Sequence, residues 1–590
     1  MKYLKKIDIN SIIAGGATIL LLFVISIFFD FYYDMNDDLL IHDIISGVYT
    51  GSPQGHNIQM LYPLSFLLSI PYQMVRGMNW YGIFLVSMQF VCFYLITNRV
   101  LSYIEKKLYK IVAIIPITFF FLAFCYYNLV NVQYTASSGI IIATGTILFL
   151  LGRSDVSWKE YLKLNIGNII LILVGFCMRE EMGLLMFPFV CVAGLIKWCG
   201  EAKIFTKDNI CKYLLVFGTL LVSMSACFII NISAYSSTEW KAFLKFFDAR
   251  TTLYDYGSVP GYDENEDFYV ENGITREQVA LIENYNFGLD DTIDENIMQL
   301  VADKSMEDVA TSATLIQRVK KSIVEYKWRT LLFENKPFQT NDFPANFIVI
   351  ILYVAVFIMA ILYKRYRYIL LAMILGVVRS GLWLFLIYRM RTPARITMPL
   401  YLIESLTLFA MLLYFTKIRL GNSLMVKIVK VAKVAVLCGL LAVSICSVIY
   451  IHSDLENIEE KRVKENMAYN EFLRYAQMNS DCFYFIDVYS SIYFSEKIFE
   501  KRENSIGNYA IISSWSARSP LEETKYEKYG INDIHSALIE DGNVYLVNET
   551  GKSLDWLVNH YFSKDIEIKI NEIKQLGNDG LEILKISKEM

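Results

Sequence analysis

The chain has 590 residues, of which 55% are hydrophobic, 15% are aromatic and only 19% are charged. This composition excludes an ordinary soluble globular protein and predicts a polytopic membrane protein. The formal net charge of -4 gives no reason to expect a nucleic-acid partner. Because most of the 10 cysteines lie in apolar runs, we expect neither a disulfide framework nor a zinc site.

Eleven apolar runs are long enough, or nearly long enough, to cross a bilayer. The first run follows a basic start but lacks a small-residue cleavage site, so we interpret it as a retained membrane anchor. The runs lie at about residues 9–33, 80–101, 111–130, 135–151, 164–178, 182–198, 213–235, 345–363, 368–388, 396–416 and 431–451.

Lysines and arginines cluster in six segments beside these runs, and the positive-inside rule assigns such segments to the cytoplasm. The N-terminus is then cytoplasmic, and the other connections and the C-terminal region are extracytoplasmic. The basic clusters are Lys2/Lys5/Lys6, Lys106/Lys107/Lys110, Arg153/Lys159/Lys163, Lys197/Lys203/Lys207/Lys212, Lys364/Arg365/Arg367 and Lys417/Arg419/Lys427/Lys430/Lys433.

This topology divides the chain into a multi-pass transmembrane domain (1–451), a first outer loop (34–79), an outer insertion (236–344) and a C-terminal domain (452–590). The first loop has the character of helices on the membrane face, and the insertion has helical periodicity in its second half. The C-terminal segment alternates strand-like apolar runs with helical stretches such as 459–478. The predicted fold class is therefore a polytopic α-helical membrane protein of about eleven helices, with an extracytoplasmic helical insertion and a small C-terminal α/β domain.

Carboxylates gather immediately outside the first apolar run, in the sequence DMNDD. At the membrane face, Asp37 or Asp38 is a candidate general base or a ligand for a divalent cation such as Mg²⁺ or Mn²⁺. Asp38 and His42 are four residues apart and share a face if the segment is helical, so they could hold a metal or polarise a hydroxyl. The structural alternative is that Asn36 or Asp37 caps a helix that starts at Leu39.

A second charged connection is Arg179-Glu180-Glu181. The run before it, 164–178, would rise only about 22 Å as a helix, against about 30 Å of hydrocarbon. The turn is therefore predicted to lie below the outer surface, where charges pair or line a watered cavity. Two interpretations stay open, namely a substrate-binding role and an Arg–Glu pair that only joins two helices.

A third charged segment is the short outer loop that carries Arg389, Arg391 and Arg395, against the charge rule that the inner loops obey. Grouped guanidinium groups suit a phosphate or a diphosphate, and the alternative is contact with anionic lipid headgroups. Arg379 and Glu404 lie at equal depth in the two adjacent runs. We interpret them mainly as a structural pair within the membrane, and a role in the site is the alternative.

On these residues the chain resembles the GT-C superfamily of membrane glycosyltransferases, which use sugars carried on polyprenyl phosphate or diphosphate. The matching features are Asp37 and Asp38, the helical character of the first loop, the charged turn at 179–181, the C-terminal domain and the arginine loop. The family pattern often has one residue between the two acids, whereas here they are adjacent. That difference leaves the metal question open.

The resemblance implies transfer of a sugar from a polyprenyl-linked donor to an extracytoplasmic saccharide or glycoconjugate acceptor, with inversion, at the face of a bilayer. Asp37 or Asp38 would take the acceptor's proton, and the arginine loop would stabilise the leaving phosphate. The residues expected to bind substrate are Arg179, Glu180, Glu181, Arg389, Arg391, Arg395 and His42.

Three rival functions are also compatible with the sequence. The first is a flippase or transporter of lipid-linked saccharides, although we find no paired halves with matching broken helices. The second is a saccharide polymerase or ligase, which is chemically close to the transferase. The third is a non-enzymatic receptor or assembly factor that binds a glycan or a protein.

Overall fold

The computed structural model describes seven stretches of the chain. Within them, ten helices are long and apolar enough to cross a membrane, and the shorter apolar helix Tyr134–Leu150 brings the number to eleven. The predicted polytopic helical fold of about eleven helices is therefore confirmed. Among the basic clusters, Lys2, Lys5, Lys6, Lys417 and Arg419 lie outside the described residues. Those residues are 8–34, 36–312, 314–331, 342–416, 423–500, 507–577 and 580–589.

The first part of the chain contains nine helices and a two-residue parallel strand pair, Tyr32–Tyr33 (β1) with Asn131–Val132 (β2). Every residue of the sixth helix is buried, so this helix forms the centre of the bundle. The helices are α1 (Ile9–Phe28), α2 (Asn36–Ser46), α3 (Tyr62–Met74), α4 (Trp80–Leu101), α5 (Lys107–Val130), α6 (Tyr134–Leu150), α7 (Trp158–Met178), α8 (Glu180–Cys199) and α9 (Lys207–Ala234).

Two helix starts differ from the sequence prediction. Helix α2 begins at Asn36 rather than Leu39, so both acidic residues lie inside its first turn. Helix α7 begins at Trp158, where the Ser157 side chain caps it, and its 21 residues rise about 31 Å. The helix before Arg179 is therefore long enough to cross the hydrocarbon, so the prediction of a short span that holds Arg179 below the membrane surface is wrong.

The insertion is helical, as predicted. Thr275 opens its third helix with a capping box, in which the Thr275 and Gln278 side chains satisfy each other's backbone amides. The helices are α10 (Thr238–Tyr256), α11 (Glu266–Glu271), α12 (Arg276–Glu283), α13 (Glu295–Ser312) and α14 (Leu315–Leu331).

The second membrane part contains α15 (Ala345–Leu362), α16 (Arg367–Tyr388), α17 (Ala394–Thr416) and α18 (Ser423–Met478). Helix α18 has 56 residues and is about 84 Å long. The sequence predicted two elements here, a span at 431–451 and a separate helical stretch at 459–478. They are instead one helix, because the segment between them contains neither proline nor glycine.

The C-terminal region contains a five-stranded mixed sheet in the order β4-β3-β5-β7-β6. The first three strands are parallel and β7 is antiparallel to both of its neighbours. Three helices connect or flank them. The elements are β3 (Phe483–Ile486), β4 (Tyr509–Ile511), α19 (Pro520–Tyr529), α20 (Ile534–Glu540), β5 (Val544–Glu549), α21 (Asp555–Phe562), β6 (Ile568–Leu576) and β7 (Leu581–Lys588).

The sheet belongs to two hydrophobic clusters. Residues such as Phe485 and Leu546 pack with insertion residues such as Phe246 and Leu289 in one continuous core. In the other cluster, strand residues pack against the far half of α18 and against Leu39 of α2. The helix that carries the acidic pair is therefore fixed between the membrane bundle and the C-terminal sheet. We call this end of the bundle the domain end.

Candidate active site

Asp38 is fully buried at the start of α2, and its Oδ1 atom is held by two donors. The Tyr81 hydroxyl donates to it at 2.7 Å, and the backbone N–H of Tyr134, the first residue of α6, donates at 3.2 Å. The Oδ2 atom has no hydrogen-bond partner among the described residues. Burial raises the pKa of Asp38 well above its usual range, since a charged carboxylate loses solvation there.

Asp37, its neighbour, is only half-buried and lies in a cationic environment. Burial raises the pKa of its carboxyl group, and three guanidinium groups oppose that rise, those of Arg395, Arg179 and Arg250. Asp255 is close enough to add to the rise. Residues from α2, α10, α17 and the α7–α8 turn therefore converge around a single carboxylate.

The Arg179 side chain is held in a compact polar cluster. Its Nη1 atom donates to Gln59 Oε1 at 2.6 Å and to the Tyr134 hydroxyl at 3.1 Å. Its Nε atom lies 2.8 Å from Glu181 Oε2, so the Arg–Glu pair considered from the sequence is present. Glu180 Oε2 is buried without a hydrogen-bond partner among the described residues. Because Tyr134 contacts both Asp38 and Arg179, the start of α6 links the acidic pair to the charged turn.

The arginine loop packs against the end of α10. Arg391 forms an ion pair with Asp255 at 2.7 Å, and the guanidinium groups of Arg389 and Arg391 lie 5.2 and 5.8 Å from the Tyr256 ring. Both arginines are therefore held by the insertion, whereas Arg395 lies near Asp37. The three arginines do not form one cluster of equivalent groups.

The same loop is held from the other side by Arg329 of α14, which is buried. Its Nη2 atom donates to Thr392 Oγ1 at 2.7 Å. Its remaining nitrogens pair with Glu325 at 2.9 Å and with Asp342 at 3.2 Å. The arginine loop is thus fixed between two helices of the insertion.

A cavity of about 290 Å³ opens beside Arg395, between α5, α15, α17 and α18. One part of its wall is apolar, with Phe124 and Ile451, and another part carries Asp34. The Tyr127 hydroxyl donates to Asp34 Oδ1 at 2.8 Å. A space with an apolar wall and a charged rim suits an amphiphilic molecule whose polar group lies beside Arg395.

His42 is buried, and it contacts Asp43 rather than Asp38, the acid expected from the sequence. Its Nδ1 atom lies 3.3 Å from Asp43 Oδ1, and its ring packs near those of Tyr33 and Tyr72. In the described part of the chain, no three His, Cys, Asp or Glu side chains are grouped as metal ligands would be. A metal held by Asp38 and His42 stays a prediction.

The predicted pair within the membrane is confirmed. Arg379 Nε lies 2.9 Å from Glu404 Oε2, and both side chains are buried. Tyr353 donates to the other oxygen of Glu404 at 2.8 Å, and Arg379 Nη1 donates to the Tyr326 hydroxyl at 2.8 Å. The pair is satisfied by its own neighbours, which agrees with a structural role.

Sequence reasoning missed several residues of this site. Arg250 and Asp255 lie in α10 among many other charged residues of the insertion, and nothing in their sequence context distinguishes them. Gln59 and Tyr134 are uncharged and come from a loop and a helix start. The one available signal was Gln133-Tyr134 at the polar start of an otherwise apolar run.

No protein-family model and no curated protein matches the chain. Among solved structures, the chain aligns with the crystal structure of ArnT from Cupriavidus metallidurans in the apo state. The alignment covers 97% of this chain and 98% of that chain, at 9% sequence identity and a TM-score of 0.36.

Proposed function

We propose that the chain is a membrane glycosyltransferase that moves a sugar from a polyprenyl phosphate or diphosphate carrier to an extracytoplasmic acceptor. The observation that carries the proposal is that Arg179, Arg250 and Arg395 lie within electrostatic range of the Asp37 carboxylate, and that Arg395 also lines the part-apolar cavity. Transfer from a lipid-linked sugar needs a base for the acceptor and cations for the phosphate. The domain end of the bundle offers both at one place.

In the proposed reaction, Asp37 takes the proton of an acceptor hydroxyl while that oxygen attacks the anomeric carbon. The new C–O bond forms as the bond to the carrier phosphate breaks, through an oxocarbenium-like state, and the anomeric centre inverts. Arg395 and Arg250 stabilise the negative charge that develops on the phosphate. The prenyl chain lies along the apolar wall of the cavity.

The other residues have supporting roles in this proposal. Asp38 orients α2 through its bonds to Tyr81 and to the start of α6, and the pair of Arg389 and Arg391 fixes the arginine loop on the insertion. The charged turn at 179–181, which is linked to the acidic pair through Tyr134, would bind the acceptor.

The experiment measures sugar transfer by purified protein in lipid nanodiscs. The donors are radiolabelled polyprenyl-phosphate glucose, polyprenyl-phosphate mannose and polyprenyl-diphosphate N-acetylglucosamine. We expect transfer to a supplied acceptor extract, and its loss in Asp37→Asn with unchanged expression and folding. The matched control is Asp267→Asn, an exposed acid of the insertion.

Three results would contradict the proposal. Full activity in Asp37→Asn would remove the base assignment. Movement of a labelled carrier across a liposome bilayer without any sugar transfer would favour a flippase instead, and binding of a glycan with neither transfer nor movement would favour a receptor.

A further inference from the structure

A second, larger space lies along the part of α18 beyond the membrane spans. It is a groove of about 620 Å³ between α18 and the segment 494–500. Nothing in the proposed transfer step uses it. The residues of its wall that matter most here are Arg462, Asn466, Asn470, Arg474 and Gln477, all on α18.

The groove and the cavity beside Arg395 share one face of α18. The cavity is lined by residues 447, 451, 454 and 458, and the groove by residues 462, 466, 470, 473 and 477. These positions are three or four residues apart, so they form one continuous stripe that winds gradually around the helix. From 447 to 477 the stripe is about 45 Å long, since the helix rises 1.5 Å per residue.

Arg462 stands at the junction of the two spaces. Its guanidinium group lies 4.1 Å from the ring of Tyr32, and its Nη2 atom donates to Asn131 Oδ1 at 2.5 Å. Burial raises the pKa of Asp34, at the cavity rim, and the Arg462 guanidinium group is close enough to oppose that rise. One end of the groove therefore adjoins the proposed reaction site, and the other end leads away from the membrane.

The groove wall carries amide and apolar groups of the kinds that bind chains of sugars. The amides of Asn470 and Gln477 can both donate and accept hydrogen bonds, as sugar hydroxyls do. The exposed apolar side chains of Val463 and Met467 offer surfaces for the C–H faces of sugar rings. Three cationic side chains and two anionic ones line the groove, so the wall is close to neutral and is unlike a phosphate site: Arg462, Arg474, Lys497, Glu496 and Glu500.

We infer that this groove binds a saccharide chain of the substrate, the part that extends from the reacting sugar away from the bilayer. The inference rests on the proposed function, because that function supplies a saccharide at the junction. It adds a binding site for several sugar units. The protein then acts on oligosaccharide-bearing substrates rather than on single sugars alone.

The test measures binding without any transfer. Full-length protein in nanodiscs is mixed with maltotetraose, chitotetraose, tetragalacturonate or tetraglycine, and saturation-transfer NMR reports contact with each probe. We expect at least one neutral tetrasaccharide to bind, and its dissociation constant to rise at least fivefold in the double variant Asn470→Ala/Gln477→Ala. Asn457→Ala, an exposed amide of α18 outside the groove, should bind as the unchanged protein does.

Each outcome decides the inference. Absence of binding by all three tetrasaccharides overturns it, as does binding that the double variant leaves unchanged. Binding of tetraglycine alone would overturn the inference and assign the groove to peptides. Binding of tetragalacturonate alone would also overturn it and assign the groove to acidic polymers, which the nearly neutral wall does not predict. Because Asp37→Asn should keep the binding and lose only transfer, failure of the groove and failure of the transferase proposal give different results.

Discussion

Adjacent acidic residues of this chain occupy different environments, which suits them to different tasks. Asp38 is fully buried and bonded to Tyr81 and to the start of α6. Asp37 is half-buried and faces guanidinium groups. Two neighbouring carboxylates with unlike surroundings can divide orientation and proton transfer between them.

The pH dependence of transfer should report the environment of Asp37. A base must be ionised, and burial raises the pKa of Asp37, so transfer should be lost on acidification at a pH above the ordinary value of 3.8. Arg250→Gln removes one cation that favours the ionised form, and the acidic limb of the kcat/KM profile should then move to higher pH. Arg153→Gln, at an exposed and distant arginine, is the control. A limb that stays in place or moves to lower pH in Arg250→Gln would contradict the assignment.

Lys525 of α19 is a second residue whose burial has a measurable effect. Its side chain is 2% exposed, and its Nζ atom lies 4.1 Å from the Tyr49 ring centre. Burial lowers the pKa of Lys525 to about 7. Between about pH 7 and 10.5 the unfolded chain binds more protons at this group, so the group makes stability rise with pH.

Lys525→Met should therefore raise the thermal unfolding midpoint at pH 7 to 8 and flatten its rise toward pH 10. Thermal unfolding of the detergent-solubilised protein at several pH values measures both effects. Lys569→Met, at an exposed lysine of β6, should change neither. An unfolding midpoint that falls in Lys525→Met at pH 7 would show that the buried amine stabilises the fold.

At the level of elements, the arginine loop depends on α14 for its position. The bond from Arg329 to Thr392 Oγ1 is a direct contact between that helix and the loop. Thr392→Val removes the acceptor while it keeps the shape of the side chain. A hydrogen bond to a charged group contributes about 1.5–3 kcal/mol, part of which the loop recovers by moving.

We therefore expect Thr392→Val to raise the donor KM by roughly fivefold or more, which corresponds to about 1 kcal/mol, with a smaller effect on kcat. Steady-state kinetics with a fixed acceptor concentration separates the two constants. Thr311→Val, at an exposed position of α13, is the matched control. An unchanged donor KM would mean that the loop is positioned without α14.

The positions of the helices could be predicted from the sequence more fully than the contacts between their side chains. Apolar runs such as 345–363 correctly predicted membrane-spanning helices, because the length of an apolar run can be read from the local sequence. The unbroken α18 was missed because its composition changes at the membrane surface although its backbone does not. The roles of Arg250 and Tyr134 were not predictable, since only tertiary packing brings α10 and α6 to the acidic pair. Asp37 and Asp38 could be proposed from the sequence because carboxylates gather immediately after the first apolar run.

At the level of the whole molecule, the domain end is predicted to face away from the cytoplasm. Asp37 and the arginine loop lie at this end, together with the insertion and the C-terminal sheet. Cys482 belongs to the C-terminal region and Cys199 lies at the end of α8, before a basic connection, and both are partly exposed. They are natural reporters of sidedness.

A membrane-impermeant maleimide should label Cys482 in intact cells and Cys199 only after permeabilisation. Mass spectrometry of the two peptides measures the labelling, and the variants Cys482→Ser and Cys199→Ser identify the signals. Labelling of Cys199 in intact cells, with Cys482 protected, would invert the topology and end the glycosyltransferase proposal.

The unbroken α18 also has a mechanical consequence. Its apolar part begins near residue 424 and its far end packs against the C-terminal sheet. One continuous helix therefore connects the membrane bundle to that sheet. Membrane helices tilt when bilayer thickness changes. A thicker or thinner bilayer would therefore tilt this helix and, through it, shift the C-terminal sheet that packs against Leu39 of α2.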